Sequence, residues 1–349
     1  MLARSILLLS CLLGAVCVHA QQDFLDLQRR VIEVYRSQSS SVVRIKAQRE
    51  ELNPTESEPR LRLTIGSGFF VSKDGHVLTN ASLVYQMDKV HVEYQKGLEV
   101  VAKVAGMDLI SNIALLKLDQ FPATATFVRL DDSPQMPEVG LLAVAITCPL
   151  QFAPSPSLGL ITGHENSIGR RPFPTPILRT SIPALPGDSG SPLFGLDGRF
   201  LGINVASIKE IHATCVFPAR ATKRIMDDLL LSGKTGYGTI SLKVKEEKQP
   251  GVVHGQRLIV STVVTGGPAD KAGLRKGDWI QGSTHGPVHT LGDLQTALFY
   301  TRPGQLLKLT VEREGQSREF SVPVEAREPR SSRPTPRAPS PAPTPIPNN

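Results

Sequence analysis

Short apolar runs, each ended by a turn signal, fill the sequence from Ser41 to about Phe217. Lys73-Asp74-Gly75 and Leu196-Asp197-Gly198 are typical of tight turns between two antiparallel strands. Val, Leu and Ile dominate these runs, and aromatic residues make up only 5% of the chain. This pattern favours β-rich packing over a helical bundle. We therefore predict a mostly β fold for this part of the chain.

A second unit follows a helix that is predicted over Ala221–Leu231 and ends at Gly233. Its pattern predicts strands at 236–245, 257–264 and 278–280, a short helix at 268–273, a helix at 290–300 and a closing hairpin at 305–311 and 318–324. Before the β-rich part, Phe24–Tyr35 has the spacing of an amphipathic helix. The predicted organisation is a leader (1–20), an N-terminal helix (21–40), a β domain (41–235), a second domain (236–325) and a Pro/Arg-rich disordered tail (326–349).

The first twenty residues have the features of a secretory signal peptide. Arg4 supplies the charged start, Ile6–Val18 is an apolar run too short for a mature membrane span, and Val18-His19-Ala20 offers a cleavage site. We predict an exported protein of the periplasm or extracellular space, with no integral membrane span after cleavage. An uncleaved anchor is the alternative. Cys148 and Cys215 remain after cleavage, and the sequence alone does not establish whether they form a disulfide.

The formal charge of +7 does not indicate nucleic-acid binding. The predicted tail contains four arginines and one glutamate, so part of the positive charge lies there. No dense basic stripe crosses the folded part. No cofactor signature is present, and no metal site is predicted. His285 and His289 lie four apart, but the Gly-Pro between them prevents a helix from aligning the rings, so a solvated loop is expected.

The sequence Gly187-Asp188-Ser189-Gly190 is the feature that most directly suggests chemistry. Glycines on both sides of a serine allow a tight turn that exposes the hydroxyl. The backbone N–H groups of Gly187 and Ser189 could then form an oxyanion hole. An ordinary glycine-rich turn would have the same short pattern.

The stretch from Val42 to Leu230 resembles the trypsin-like serine proteases of the HtrA/Deg family. The matching segments occur in the family's order: Ser41–Ile45, Gly66–Phe69, Gly75–Asn80, Gly106–Asp108, Asn112–Lys117, Ala143–Pro149, Gly187–Gly190 and Gly198–Asn204. The resemblance implies two packed six-stranded β-barrels.

Two members of the family's catalytic triad are replaced. Ser82 stands where the family has its histidine and Asn112 where it has its aspartate, so only Ser189 is kept. A serine hydroxyl needs a neighbouring base, and neither replacement is one near neutral pH. His76, His91 and Asp108 are not expected to reach Ser189. Ser191 also replaces a usual glycine, where it would either narrow the specificity pocket or simply pack against a loop.

Gly236–Glu325 resembles the PDZ domain that follows the protease unit in the same family, most specifically over Gly266–Asp278. The resemblance implies a peptide added as a strand at a sheet edge, with its terminal carboxylate held by backbone N–H groups. The predicted peptide-binding residues are Tyr237, Gly238, Thr239, Ile240 and Leu298. The alternative is a PDZ fold that serves only as a spacer.

Together these features predict an HtrA-like pseudoprotease that binds peptides or unfolded proteins as an adaptor, chaperone or regulator, with C-terminal tails among its ligands. The family resemblance also suggests a homotrimer or pairing with an active relative. Two other hypotheses stay open: a serine endopeptidase with weak or unconventional activity through Ser189, and a structural partner in a cell-envelope assembly that is tethered by the tail.

Overall fold

The computed structural model describes residues 25–51, 60–94, 97–123, 125–130, 132–133, 135–169, 171–248 and 255–327. The predicted leader and all of the predicted tail except 326–327 lie outside these residues. Among the described residues, no helix is long and apolar enough to cross a membrane.

An antiparallel sheet forms the first half of the β domain, and seven of its strands lie within the described residues, in the order β5-β4-β1-β2-β3-β7-β6. They are β1 (Val42–Glu51), β2 (Arg60–Phe70), β3 (His76–Asn80), β4 (Lys89–Tyr94), β5 (Leu98–Val101), β6 (Lys103–Asp108) and β7 (Ile113–Lys117). The short β5 pairs with β4 alone and adds one strand to the six that were expected. Phe69 and Phe70 alternate between two core clusters, as neighbours on a strand must.

The second half is a closed antiparallel barrel whose strands, within the described residues, follow the order β10-β13-β12-β11-β8-β9. They are β8 (Leu142–Thr147), β9 (Ser155–Ile168), β10 (Arg171–Thr180), β11 (Pro192–Gly195), β12 (Phe200–Ile208) and β13 (Ala213–Pro218). Closure removes the free strand edges that would otherwise invite aggregation. The mostly β, trypsin-like architecture predicted from the sequence is confirmed.

Within the described chain, three helices lie in the first 235 residues and a fourth lies in the second domain. They are α1 (25–38), α2 (Ala81–Val84), α3 (Ala219–Ser232) and α4 (Pro268–Lys271). In α1, Val34 is buried in the larger core cluster and the Tyr35 hydroxyl donates to the Pro154 carbonyl at 2.8 Å. The helix therefore packs on its own chain. As predicted, α3 is ended by Gly233, whose φ of 69° is left-handed.

The second domain has its own core and a five-strand path in the order β15-β16-β17-β19-β20 within the described residues. The strands are β14 (Gly238–Thr239), β15 (Leu242–Lys248), β16 (Gln256–Val263), β17 (Trp279–Ser283), β18 (Gly286–Pro287), β19 (Leu306–Arg313), β20 (Gln316–Pro323) and β21 (Glu325–Ala326). The helix α5 (Leu291–Tyr300) begins with a capping box between Thr290 and Asp293. In the described part of the chain β15 is an edge strand, and α5 packs beside it.

The two domains meet along α3, β10 and α5, a contact that we call the domain seam. Phe299 of α5 leaves the second domain's core and packs against Phe217 of the barrel, with ring centroids 6.1 Å apart. The Arg224 guanidinium lies 4.2 Å from the centre of the same ring. The Arg302 guanidinium pairs with the buried Asp228 carboxylate at 2.7 Å. Apolar burial and a partly buried ion pair thus fix the second domain against the first.

Candidate functional site

The Ser189 loop forms the expected tight turn at the junction of the two halves of the β domain. Gly187 and Gly190 have φ values of 94° and 83°, which favour glycine. A Cβ on Gly190 would lie 2.4 Å from the Ser67 carbonyl oxygen, and one on Gly187 would lie 2.7 Å from the Cys148 carbonyl oxygen. The glycines are needed for both backbone angle and close approach.

Ser67 holds this turn in place and was not singled out from the sequence. Its side chain is fully buried; the Oγ donates to the Gly187 carbonyl at 2.6 Å and accepts from the Cys148 N–H at 2.9 Å. Its own N–H donates to the Ser189 carbonyl at 2.8 Å. One side chain and one amide therefore tie the loop to β2. The only sequence signal was its place in the Gly66–Phe69 segment.

The Ser189 hydroxyl and two nearby amides are available for a ligand. Within the described residues, the Ser189 hydroxyl forms no hydrogen bond, and the N–H groups of Gly187 and Ser189 have no acceptor. The intervening Asp188 N–H, in contrast, donates to the Leu185 carbonyl at 3.2 Å. Free N–H groups at Gly187 and Ser189 are what an oxyanion hole requires.

Ser82 and Asn112 are brought together. Ser82 lies exposed in α2, and its backbone N–H donates to the Asn112 Oδ1 at 2.8 Å. The Asn112 Nδ2 donates to the Val205 carbonyl of β12 at 2.8 Å, and the Ala81 N–H donates to the Asn112 carbonyl at 3.1 Å. Asn112 thus links α2, next to the first sheet, to β12 of the barrel. Because it is a neutral amide, it supplies no charge.

The alternative histidines lie away from the serine loop. His76 begins β3, whereas Gly190 lies against Asn80 at the other end of that strand, about 13 Å away along extended chain. The His76 ring bonds the Ser72 hydroxyl at 2.8 Å. His91 lies in β4, between β1 and β5. In the described part of the chain, neither ring contacts the nucleophile position.

Asp108 is already engaged as well. Its Oδ2 accepts from the Ser111 N–H at 2.9 Å, from the Ser111 hydroxyl at 2.5 Å and from the Tyr237 hydroxyl at 2.7 Å. Burial, followed by the nearby Asp108 carboxylate, raises the pKa of Tyr237 well above its ordinary value. Asp108 therefore orders the loop before Asn112 and connects it to the second domain.

Ser191 is buried in the turn. Its N–H donates to the Asp188 carbonyl at 3.0 Å and its carbonyl accepts from the Asn204 N–H at 2.9 Å. This environment favours the packing interpretation of Ser191 over a narrowed pocket.

The two retained cysteines are free and buried. Burial raises the pKa of Cys148 to about 12 and that of Cys215 to about 11. They do not form the disulfide that the sequence left open.

The predicted peptide-binding residues frame one end of the space between β15 and α5. Ile240 is buried in the second domain's core, so only its backbone is available to a ligand. Gly238 has no room for a side chain, because a Cβ would lie 2.2 Å from Val324 Cγ1. Tyr237, Gly238 and Leu298 line a cavity of about 160 Å³ at the domain seam. Thr239 pairs with Glu325 in the β14–β21 ladder.

His285 is exposed in the turn between β17 and β18, in agreement with the expected solvated loop, and it also contacts two neighbouring residues. Its Nε2 lies 3.1 Å from the Thr301 hydroxyl and its ring packs near Tyr300. Burial, followed by the Arg220 charge, lowers its pKa. Among the described residues, no group of three or more His, Cys, Asp or Glu side chains is placed to hold a metal.

Comparison with known proteins defines the class. Residues 66–203 match the trypsin-like peptidase domain and residues 235–324 match the PDZ domain. The chain is thus a trypsin-like domain followed by a PDZ domain.

Curated relatives of this chain are named as proteases. A probable periplasmic serine endoprotease, DegP-like, of Pseudomonas fulva (strain 12-X) is 30% identical over 270 residues, which cover 75% of this chain and 56% of the relative. Its counterpart in Chlamydia trachomatis serovar D is 30% identical over 277 residues, covering 74% and 53%. The chain therefore spans little more than half the length of these curated relatives.

Solved structures share the fold. The HtrA-type protease AlgW with a tripeptide has a TM-score of 0.68 at 24% identity, covering 86% of this chain and 98% of that one. The structure of AlgW with a decapeptide has a TM-score of 0.67 at 22% identity, and the match covers 86% of this chain and 99% of that one. The chain thus has a trypsin-like domain followed by a C-terminal PDZ domain, and it is similar to DegP-like and HtrA-type proteases.

Proposed function

We propose that this protein is an exported HtrA-type pseudoprotease whose PDZ groove and inactive trypsin-like cleft bind peptides or unfolded polypeptide, as an adaptor, chaperone or regulator. The observations that carry the proposal are the hydrogen bond from the Ser82 N–H to Asn112 and a Ser189 hydroxyl that bonds no base among the described residues. Ser82 and Asn112 are in contact, but neither side chain can act as a general base near neutral pH.

Loss of the base removes nearly all turnover. A serine hydroxyl attacks only when a neighbouring group takes its proton, and the Ser82 hydroxyl cannot do so near neutral pH. Asn112 uses its amide oxygen on the Ser82 N–H and its amide nitrogen on the Val205 carbonyl. Removing the base from such a triad lowers kcat by about 10⁶.

Peptide binding is supported by the geometry of the PDZ domain. An edge strand such as β15 offers unpaired backbone groups that accept another strand. The neighbouring α5 supplies the half-buried Leu298 as an apolar contact. Solved relatives of this fold are described as complexes with a tripeptide and a decapeptide.

Export is supported by the signal-peptide pattern and by the names of the relatives, which are called periplasmic. A homotrimer, or pairing with an active relative, remains a proposal from the family resemblance.

Weak peptidase activity through Ser189 is the second candidate. The unoccupied N–H groups of Gly187 and Ser189 favour it, because an oxyanion hole alone retains some catalysis.

A fluorophosphonate probe separates the two candidates. We expect no adduct at Ser189 by intact mass in the mature protein, because no base activates the hydroxyl. The Ser82→His/Asn112→Asp double variant is expected to react, since it restores a base and its orienting carboxylate beside an intact loop. Ser189→Ala in that double variant is the matched control. An adduct on the wild-type protein that Ser189→Ala removes would establish the peptidase candidate instead.

A further inference from the structure

A cavity of about 330 Å³ lies beside the two replaced catalytic positions. Ser82 and Asn112 line it together with Arg49 of β1 and Arg62 of β2. All of its lining residues belong to the first half of the trypsin-like domain, so the cavity is separate from the PDZ groove. Within the described residues, no Asp or Glu side chain lines it. The cavity therefore has positive charge on its wall and no negative charge.

The two arginines form a like-charge pair. Arg49 and Arg62 are directly opposite each other in the β1–β2 ladder, an arrangement that destabilises an antiparallel pair of strands. Arg62 pairs with Glu51 at 3.2 Å, but these side chains are 58% and 45% exposed, so the ion pair contributes little. The Arg49 guanidinium donates to the neutral Gln86 Oε1 at 3.3 Å, and among the described residues it pairs with no carboxylate. An anion in the cavity would relieve the repulsion between the arginines.

Two non-glycine residues of the cavity wall have a left-handed backbone. The φ values are 57° at Gln86 and 63° at Asn112. Side chains other than glycine rarely adopt this conformation, and residues that do so cluster at binding and active sites. The turn at Gln86 places a neutral amide beside Arg49, so that the charge of this arginine stays available to a ligand.

A further donor lines the cavity near the serine loop. The exposed Ser82 hydroxyl forms no hydrogen bond within the described residues. A Cβ on Gly190 would lie 3.0 Å from the backbone nitrogen of Asn80, two residues before Ser82, so the serine loop is close by. Two guanidinium groups and a hydroxyl beside a peptide cleft are complementary to the carboxylate of an acidic side chain.

We propose that this cavity binds an Asp or Glu side chain of a polypeptide that lies in the inactive cleft, and that Arg49 and Arg62 bind the carboxylate. The inference rests on the proposed function and adds to it the class of ligand, an acidic segment. The neutral Asn112 is part of the site, because an aspartate at this position would repel the ligand's carboxylate.

The test uses the mature protein and two pools of fluorescently labelled twelve-residue peptides with amidated C termini. Three fixed positions are Glu in one pool and Gln in the other, and the remaining positions are randomised over the same neutral residues. Binding is followed by anisotropy. Wild-type protein is expected to bind the Glu pool about tenfold more tightly than the Gln pool, with a smaller difference at high ionic strength.

Substitution of the arginines should remove this preference in two steps. Arg49→Gln and Arg62→Gln are each expected to lower the Glu-over-Gln preference about threefold, as for a partly exposed ion pair, and the double variant should abolish it. Asn112→Asp should also lower it. Because the arginines repel each other, neither single variant should lower Tm in thermal melts.

Two control variants lie outside the cavity. Arg318→Gln removes the same charge from an exposed arginine of β20 that also donates to a glutamine side chain, at 3.0 Å. Leu298→Asp alters the PDZ groove. Both variants should keep the Glu-over-Gln preference of the wild-type protein.

The outcomes distinguish this inference from the proposed function. If neither pool binds, and free-acid versions of the pools do not bind either, the proposed peptide-binding function fails and the inference fails with it. If peptides bind but the two pools bind equally, or the double arginine variant changes the preference no more than Arg318→Gln does, the inference is overturned while peptide binding stands. A preference that disappears in Leu298→Asp would assign acid recognition to the PDZ domain and would likewise overturn it.

Discussion

Replacing Ser67 with alanine should destabilise the protein more than its small size suggests. The hydroxyl donates to the Gly187 carbonyl and accepts from the Cys148 N–H, and all of Ser67 is buried. The alanine variant leaves both partners without that bond. An unsatisfied buried polar group costs about 1–3 kcal/mol, so we expect a loss of about 2–5 kcal/mol in the free energy of unfolding. At about 2 °C per kcal/mol for a chain of this size, Tm should fall by about 4–10 °C.

Differential scanning calorimetry of the mature protein measures this loss. The matched control is Ser40→Ala, because the Ser40 hydroxyl also forms a side-chain hydrogen bond, to Thr126 at 2.7 Å, but in an exposed setting. That bond should contribute at most about 1 kcal/mol. If Ser67→Ala lowers Tm no more than Ser40→Ala, the serine does not hold the turn and our account of the loop is wrong.

Two further predictions concern buried titratable groups. Because the folded state raises the pKa of Tyr237, its contribution to stability is complete below about pH 10 and declines as pH rises through the folded-state pKa. Tyr237→Phe should therefore lose less stability than wild type between pH 9 and 11 in urea titrations, and superimposable profiles would contradict this. Cys148 and Cys215, with pKa values of about 12 and 11, should react with a thiol reagent at pH 8 only after unfolding. Rapid labelling of the native protein would show that one of them is accessible.

Local pattern predicted much of the fold. The turn at Gly75, the end of α3 at Gly233 and the start of α5 at Thr290 follow from residue types whose backbone or side-chain preferences act over a few positions. The arrangement of the strands, in contrast, was predicted from the family resemblance. The turn at Gly75 and the two helix ends are predictable from local rules because the residues that form each of them are neighbours in the chain.

Contacts between distant segments escaped prediction. Tyr237 and Asp108 are 129 positions apart, and Ser67 and Gly187 are 120 apart. No periodicity specifies such pairs, since they depend on how completed sheets and domains pack. Tyr237 was predicted only as part of a ligand-binding loop. Its hydrogen bond to Asp108 forms because the two domains pack together at the domain seam.

Phe299 belongs to the PDZ helix by sequence but to the trypsin-like domain's core by packing. A polypeptide cut between the two domains would therefore leave a large aromatic face in water on one fragment and an empty socket on the other. The two domains should consequently behave as one cooperative unit, with a van't Hoff enthalpy of unfolding close to the calorimetric one. For this protein, the boundary between domains in the sequence is not a boundary in the free energy of folding.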